Sequence, residues 1–417
     1  MTPASFKNKL LALAENQGVA LDGQSCILVS HSNRSVVRAF DGLYPTILGV
    51  PFSSRNAAKQ IFLQSVALPL VEGRTNPLLC NLGISGSGKT VQQVLNMCWF
   101  REYHHHPSIS FEVSFNDDSV DLRLDHGDTF NDVMVRGILL RLAERCAGMN
   151  FSEAPKANQQ MQDILDIDFS QLKLTILEAI ALAREVLGFG EDAPALLVVD
   201  EISKRKNSKE ALSSLCNLVD REAPQRPRRF WLSASTYGCF QLKDFQTNSN
   251  RPILLQPLPP ILLDSFTSNE IDSLPPLLRV LISQEKKSTA ILEIKRKVSR
   301  LLLLSGGHPR LLSALLQTLG QAQSMFLESL NARQSKKLRS SLKLSEGLSV
   351  LLTDKNPFLS LFLKTVDKIC TLGESLMITR AHVIPEQLQP STIFNRDLVV
   401  PFGFPTDEVQ SSSFRFS

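Results

Sequence analysis

The sequence predicts a three-layer α/β domain, in which a parallel five-stranded sheet carries helices on both faces, followed by a mostly helical domain. Three observations carry this expectation. Five short apolar runs, LLCNL (78–82), ISFEVSF (109–115), ALLVVD (195–200), RFWLSAS (229–235) and ILLQPL (253–258), alternate with segments of helical spacing. The first run passes through a glycine-rich loop straight into a helix, and the third ends in two acids, Asp200 and Glu201. After Pro260 the alternation gives way to helical patterns such as LPPLLRVLISQ, ILEIKRKVSRLLLLSGG and PRLLSALLQTLGQAQSMFLESL.

The 417 residues have room for two or three domains. Residues 1–52 begin with the amphipathic FKNKLLALAENQG, continue through the strand CILVS into FDGLYPTILGVPF, and read as a small N-terminal lobe. From Ser53, SSRNAAKQIFLQSVALPLVEG reads as a helix capped by Ser53 or Ser54 and ended by Pro69. The helices between the strands are TVQQVLNMCWFREY, DTFNDVMVRGILLRLAERCAG, SQLKLTILEAIALAREVLG and SKEALSSLCNLVDRE, with Asp or Ser at their starts. Trp99 and Phe100 are expected to pack the first of these against the sheet. The α/β domain then covers residues 53–265 and the helical domain 266–330. Residues 331–417 start with the Ser/Lys/Arg-rich NARQSKKLRSSLKLSEG and have no assigned role.

Composition is that of a soluble globular chain, 43% hydrophobic and 21% charged. No apolar run reaches bilayer length and the N-terminus lacks a secretory pattern, which points away from a membrane and towards an intracellular place, cytoplasmic or nuclear. Seven dispersed cysteines without a C-x-x-C pair fit buried free thiols in a reducing compartment. A net charge of +4 is only mildly basic. Basic clusters at Lys204–Lys206, Arg226–Arg229, Lys286–Arg300 and Arg333–Lys343 read first as solvated faces. His104, His105 and His106 close a helix before Pro107, where cationic side chains offset the helix dipole better than they would share a metal.

The chemistry concentrates around residues Gly83 to Thr90, which spell G-x-x-x-x-G-K-T between a strand and a helix. Gly83, Ile84, Ser85, Gly86, Ser87 and Gly88 would wrap main-chain amides around phosphates, aided by the positive end of the helix that follows. Lys89 would neutralise the outer phosphates and the Thr90 hydroxyl would ligate Mg2+. Two carboxylates at the end of an apolar strand are costly unless a cation or water satisfies them. Asp200 therefore fits the Mg2+ shell opposite Thr90, and Glu201 is placed to orient or deprotonate an attacking water. One strand later, RFWLSASTYG closes in hydroxyls that would lie beside the γ-phosphate, Ser233 first and Ser235 second. In the helical domain, Gly306-Gly307-His308-Pro309-Arg310 sits at a helix start. There His308 and Pro309 would border the nucleotide, and Arg310 would reach its phosphates.

The order GISGSGKT, LLVVDE, WLSAS and SGGHPR resembles the P-loop ATPases with an added strand and a catalytic glutamate, the group of the AAA+ and STAND families. The Gly-Gly-His-Pro-Arg end is similar to the motif of archaeal-type ATPases and of the ATPase modules of Crinkler and retrotransposon hot spot proteins. The resemblance spans roughly residues 53–320. It implies a sheet ordered 5-1-4-3-2 in the strands above, a helical or winged-helix lid, and ATP with Mg2+ as ligands. The long interval from Lys89 to Asp200 favours the STAND-like side, and no motif selects an arginine finger from Arg221, Arg226, Arg228 and Arg229.

Four functions remain open at this point. An ATPase switch read by a protein partner or by self-association uses all four motifs. A nucleic-acid-associated ATPase would use the basic clusters as a track for the phosphate backbone. A GTPase lacks its N-K-x-D tetrapeptide here, and a small-molecule kinase does not require the Asp-Glu pair. A regulatory module without catalysis sits poorly with intact Lys89, Asp200 and Glu201.

Overall fold

The computed structural model describes residues 1–43, 46–47, 50–51, 55–67, 77–82, 88–115, 129–149, 164, 167, 169–202, 214, 230–236, 253–256 and 258. The chain divides into two compact units, one of residues 1–43, 57–84 and 89–258, the other of residues 44–56, 85–88 and 259–417. The lid, the C-terminal region, the loop residues Gly83–Ser87, the motif His308-Pro309-Arg310, the segment SKEALSSLCNLVDRE apart from Ser214, and all four arginine-finger candidates lie outside the described residues. In the second unit, β2 (Thr46–Ile47) and β3 (Val50–Pro51) form an antiparallel pair.

The first unit starts with α1 (Pro3–Asn16), which has Pro3 in its first turn and Thr2 as its cap, the Thr2 hydroxyl accepting from the Ser5 amide at 3.2 Å. Then follow β1 (Cys26–Leu28), α2 (His31–Arg38) with a π-helical turn over Ala39–Leu43, and α3 (Asn56–Ala67). The central run is β4 (Leu78–Leu82), α4 (Lys89–Tyr103), β5 (Ile109–Ser114), α5 (Phe130–Ala147), α6 (Ile176–Val186), β6 (Ala195–Asp200), β7 (Phe230–Thr236) and β8 (Ile253–Leu255). The long helices start at threonines rather than at Asp or Ser. Thr129 and Asp132 form a capping box on α5, and Thr175 and Glu178 form one on α6, each satisfying two amides that the first helical turn leaves free. At the other end of α5, Gly148 takes the left-handed conformation that stops the helix.

Among the described residues the sheet is parallel throughout and has six strands, not five, in the order β1-β5-β6-β7-β4-β8. The sixth is β1, whose three residues pair with Ile109–Phe111 of β5. Its physical reason is the open edge of β5, a row of unpaired amides and carbonyls that a short strand covers.

Side chains alternate along these strands and divide into two chemically different faces. Leu78, Cys80, Phe111, Val113, Leu197, Val199, Leu232 and Ala234 enter one apolar core with α1, α5 and α6. There Phe6 meets Phe169 edge to face at 5.7 Å, and fully buried side chains of this size contribute about 1.5–3 kcal/mol each. The opposite face carries Asn81, Glu112, Ser114, Asp200, Ser233 and Ser235, all buried, under the α4 side of the sheet. Phe100 packs against Trp231 at 5.2 Å and Trp99 against Phe62 at 6.0 Å, which seats α4 against β7 and α3. Among the described cysteines, Cys26, Cys80, Cys98 and Cys146 are free thiols. Burial pushes Cys26, Cys98 and Cys146 up to about 12, so they are inert packing groups.

His104 does not offset the dipole of α4. Its ring lies between Phe100 at 4.4 Å and Trp231 at 5.2 Å, and burial, helped by the neighbouring His106 and His105 charges, lowers its pKa to about 4. The imidazole is therefore neutral at pH 7 and acts as an aromatic wedge. No cluster that could hold a metal occurs among the described His, Cys, Asp and Glu residues.

Candidate functional site

The site forms where β4, β6 and β7 end beside the start of α4. Gly88 has φ +85°, a conformation glycine reaches without a Cβ penalty, and it delivers the chain into α4 at Lys89. Because β7 lies between β4 and β6 and all three run parallel, Leu82 and Asp200 stand at the same end of the sheet, two strands apart. Parallel topology thus brings together positions 110 residues apart.

The central contact is a hydrogen bond from Thr90 Oγ1 to Asp200 Oδ2, 2.7 Å long. The other carboxylate oxygen of Asp200, Oδ1, accepts from the Ser235 hydroxyl. Ser235 Oγ in turn accepts from the Glu201 amide at 3.0 Å, so one serine fixes both acidic positions. Asp200 is 1% exposed. Burial raises its pKa above the ordinary carboxylate value, opposed by the hydroxyls of Ser235 and Thr90, with the Glu201 charge raising it and Lys89 lowering it.

Lys89 Nζ lies 3.4 Å from Glu201 Oε1. Glu201 adopts φ +55°, uncommon for a residue with a side chain and costly by about 1–2 kcal/mol. Its second oxygen, Oε2, is buried without a hydrogen-bond partner. The strained backbone turns the carboxylate back towards the head of α4, and the free oxygen marks a place where a donor or water would be satisfied.

Thr90 and Asp200 offer a hydroxyl and a carboxylate, the hard oxygen donors that Mg2+ prefers, and the cost of burying Asp200 is of the kind a cation offsets. The residues present fit that ion.

Of the two serines, Ser235 touches the acids and Ser233 does not. Ser233 lies one pleat deeper, where it donates to Gln93 Oε1 at 2.6 Å and accepts from Asn96 Nδ2 at 3.2 Å. Asn96 also exchanges two bonds with Gln256, both 2.8 Å, and Gln256 reaches the Ala58 carbonyl at 2.8 Å. This buried amide network ties α4 to β7, β8 and α3, and it leaves Ser235 at the acids. Asn81, absent from the motifs above, pairs in register with Ser235, and its side-chain nitrogen and oxygen both lack partners. Its signal was a polar residue inside the apolar run LLCNL, next to the loop. Glu112 is likewise absent from those motifs. It sits fully buried on β5 and accepts from the Ser30 amide at 2.8 Å and from Asn33 Nδ2, which anchors the start of α2.

No protein-family profile matches the sequence, and comparison with curated proteins finds no relative. Among solved structures, the chain is similar to a Walker-type ATPase of Pyrococcus abyssi, with 14% identity and a TM-score of 0.36 over 76% of this chain and 89% of that one. Among the described residues, no helix is long and apolar enough to cross a membrane.

Proposed function

We propose that this chain binds ATP with Mg2+ at the head of α4, hydrolyses it, and uses the difference between the ATP and ADP states as a conformational switch. The observation that carries this reading is the 2.7 Å bond between Thr90 and Asp200, which brings the two separate sequence motifs into one oxygen-lined site. The strand order, with β4 between β7 and β8, supports reading the protein as a P-loop ATPase with an added strand, and the long interval from Lys89 to Asp200 favours the STAND-like side of that group.

In this reading the loop Gly83–Gly88 supplies amides to the phosphates, and Lys89, now turned to Glu201, swings to the outer phosphate. Thr90 and Asp200 would hold Mg2+, which when bound supplies positive charge to the phosphate oxygens. Glu201 accepts a proton from the attacking water or orients it once Lys89 has left. Ser235 keeps Asp200 and Glu201 in place, and Ser233 acts more remotely by setting the seat of α4. His308, Pro309 and Arg310, in a helical domain over residues 266–330, would close on the nucleotide. A protein partner or self-association would read the closure.

The test is magnesium-dependent phosphate release by wild type and Glu201→Gln, with and without DNA. The reading expects turnover in wild type and its loss in the variant, with ATP still bound. Equal turnover in both removes Glu201 from its role. Stimulation by DNA would transfer the proposal to the nucleic-acid-associated alternative.

A further inference from the structure

A second charged feature lies at the other edge of the sheet, four strand spacings or about 19 Å from β4. A cavity of about 270 Å³ opens there between α2, the end of β1 and the C-terminal half of α5. Four arginines line it: Arg34 and Arg38 from α2, Arg141 and Arg145 from α5.

The spacing of each pair is i,i+4, which puts both guanidinium groups of a helix on one side. Like charges at that spacing destabilise an isolated helix by about 0.2–0.5 kcal/mol, a cost that Arg34 and Arg38 carry on α2. A last-turn position explains Arg38 and Arg145 one at a time through the helix dipole. It does not explain why Arg34 converges with them, whereas Arg141 is held by buried acids, Glu144 beside it and Glu112 within Coulombic reach.

The cavity has one acidic lining residue, Glu144, and it is engaged: Arg141 Nη1 donates to Glu144 Oε2 at 2.9 Å with both side chains buried. Arg145 donates to the Ala20 carbonyl at 3.3 Å, a bond that brings no negative charge to it. Arg34 and Arg38 have no hydrogen-bond or ion-pair partner among the described residues. The remaining lining includes apolar Ile27, Leu28 and Val29, which lower the local dielectric and strengthen any charge bound there.

We propose that this cavity is a binding site for a small phosphate-bearing molecule, separate from the nucleotide site, recognised by the guanidinium forks of Arg34, Arg38 and Arg145. Planar forks match phosphate oxygens two at a time, which lysines would not do. The volume is below that of most drug-sized pockets, so the ligand is a compact phosphate or diphosphate rather than a large cofactor.

The experiment uses the full chain saturated with a non-hydrolysable ATP analogue and Mg2+, so that the phosphate loop is filled, and titrates inorganic pyrophosphate calorimetrically at fixed ionic strength. Wild type is expected to bind with one-to-one stoichiometry. Affinity should fall at least tenfold in Arg34→Gln/Arg38→Gln and recover in part in Arg34→Lys/Arg38→Lys. Arg38 is exposed and Arg34 half-buried on α2, and circular dichroism checks that each variant folds. Lys89→Ala without the analogue should bind pyrophosphate as the saturated wild type does. No binding by saturated wild type, equal binding by the glutamine variant, or binding of a DNA oligonucleotide without pyrophosphate would each overturn the proposal.

Discussion

Replacing Glu201 by Gln has a consequence for binding that is separate from turnover. Lys89 Nζ and Glu201 Oε1 lie 3.4 Å apart, with side chains 2% and 15% exposed. At an effective dielectric of about 20 their attraction is about 5 kcal/mol. Desolvation of both charges opposes it, and Lys89 has further interactions that Gln leaves in place, so the net loss is about 1–3 kcal/mol. The substitution keeps the side-chain length and the backbone at φ +55°. If ATP takes Lys89 away from Glu201, the pair is absent from the bound state, and the free energy lost by the empty variant returns as affinity. The variant should therefore unfold at lower denaturant concentration by about 1–3 kcal/mol and bind MgATP about 5- to 150-fold more tightly. Chemical denaturation and calorimetry measure the two sides of this cycle. Lower stability with unchanged or weaker ATP binding would refute the transfer of Lys89 from acid to phosphate.

Three further outcomes follow from the geometry. Burial raises the Asp200 pKa above its ordinary 3.8, so its contribution to stability is full below that value and is lost as pH rises through the raised one. The cation needs the carboxylate, so MgATP affinity should fall by up to tenfold per pH unit below the raised value, while ATP without Mg2+ lacks this dependence; parallel titrations decide it. Ser235→Ala should cut phosphate release sharply, since it frees both Asp200 Oδ1 and the Glu201 amide, whereas Ser233→Ala should cost about 1–3 kcal/mol of stability and change turnover less. His104 has its folded pKa lowered from 6.5 to about 4, so the stability it contributes is present above 6.5 and lost as pH falls to 4; His104→Phe should flatten the fall in melting temperature over that window.

Much of this architecture could be read from residue patterns. Apolar runs at 78–82, 109–115 and 195–200 became strands because each is buried on both faces and needs no alternation. Membership of CILVS in the same sheet was not legible, because a three-residue edge strand is chosen by the neighbour it covers. Thr90 and Asp200 were legible as a pair because loop and acid motifs each have a fixed place at strand ends. The choice between Ser233 and Ser235 was not. Both face α4, and only the pairing of Ser235 with Asn81 decides which hydroxyl reaches the strand end. Glu112 was hidden inside an apolar run, and its partners Ser30 and Asn33 come from a segment some 80 positions earlier. His104 misled because charge was assigned by position, whereas Phe100 and Trp231 keep it neutral.

The most direct test replaces Mg2+ by Mn2+ and crystallises the protein with a non-hydrolysable ATP analogue, using anomalous scattering to find the ion. The account predicts one strong manganese peak against Thr90 Oγ1, with Asp200 in its coordination shell and Lys89 on the terminal phosphate instead of on Glu201. A nucleotide bound away from the start of α4, or manganese seated elsewhere with Thr90 still bonded to Asp200, would contradict it.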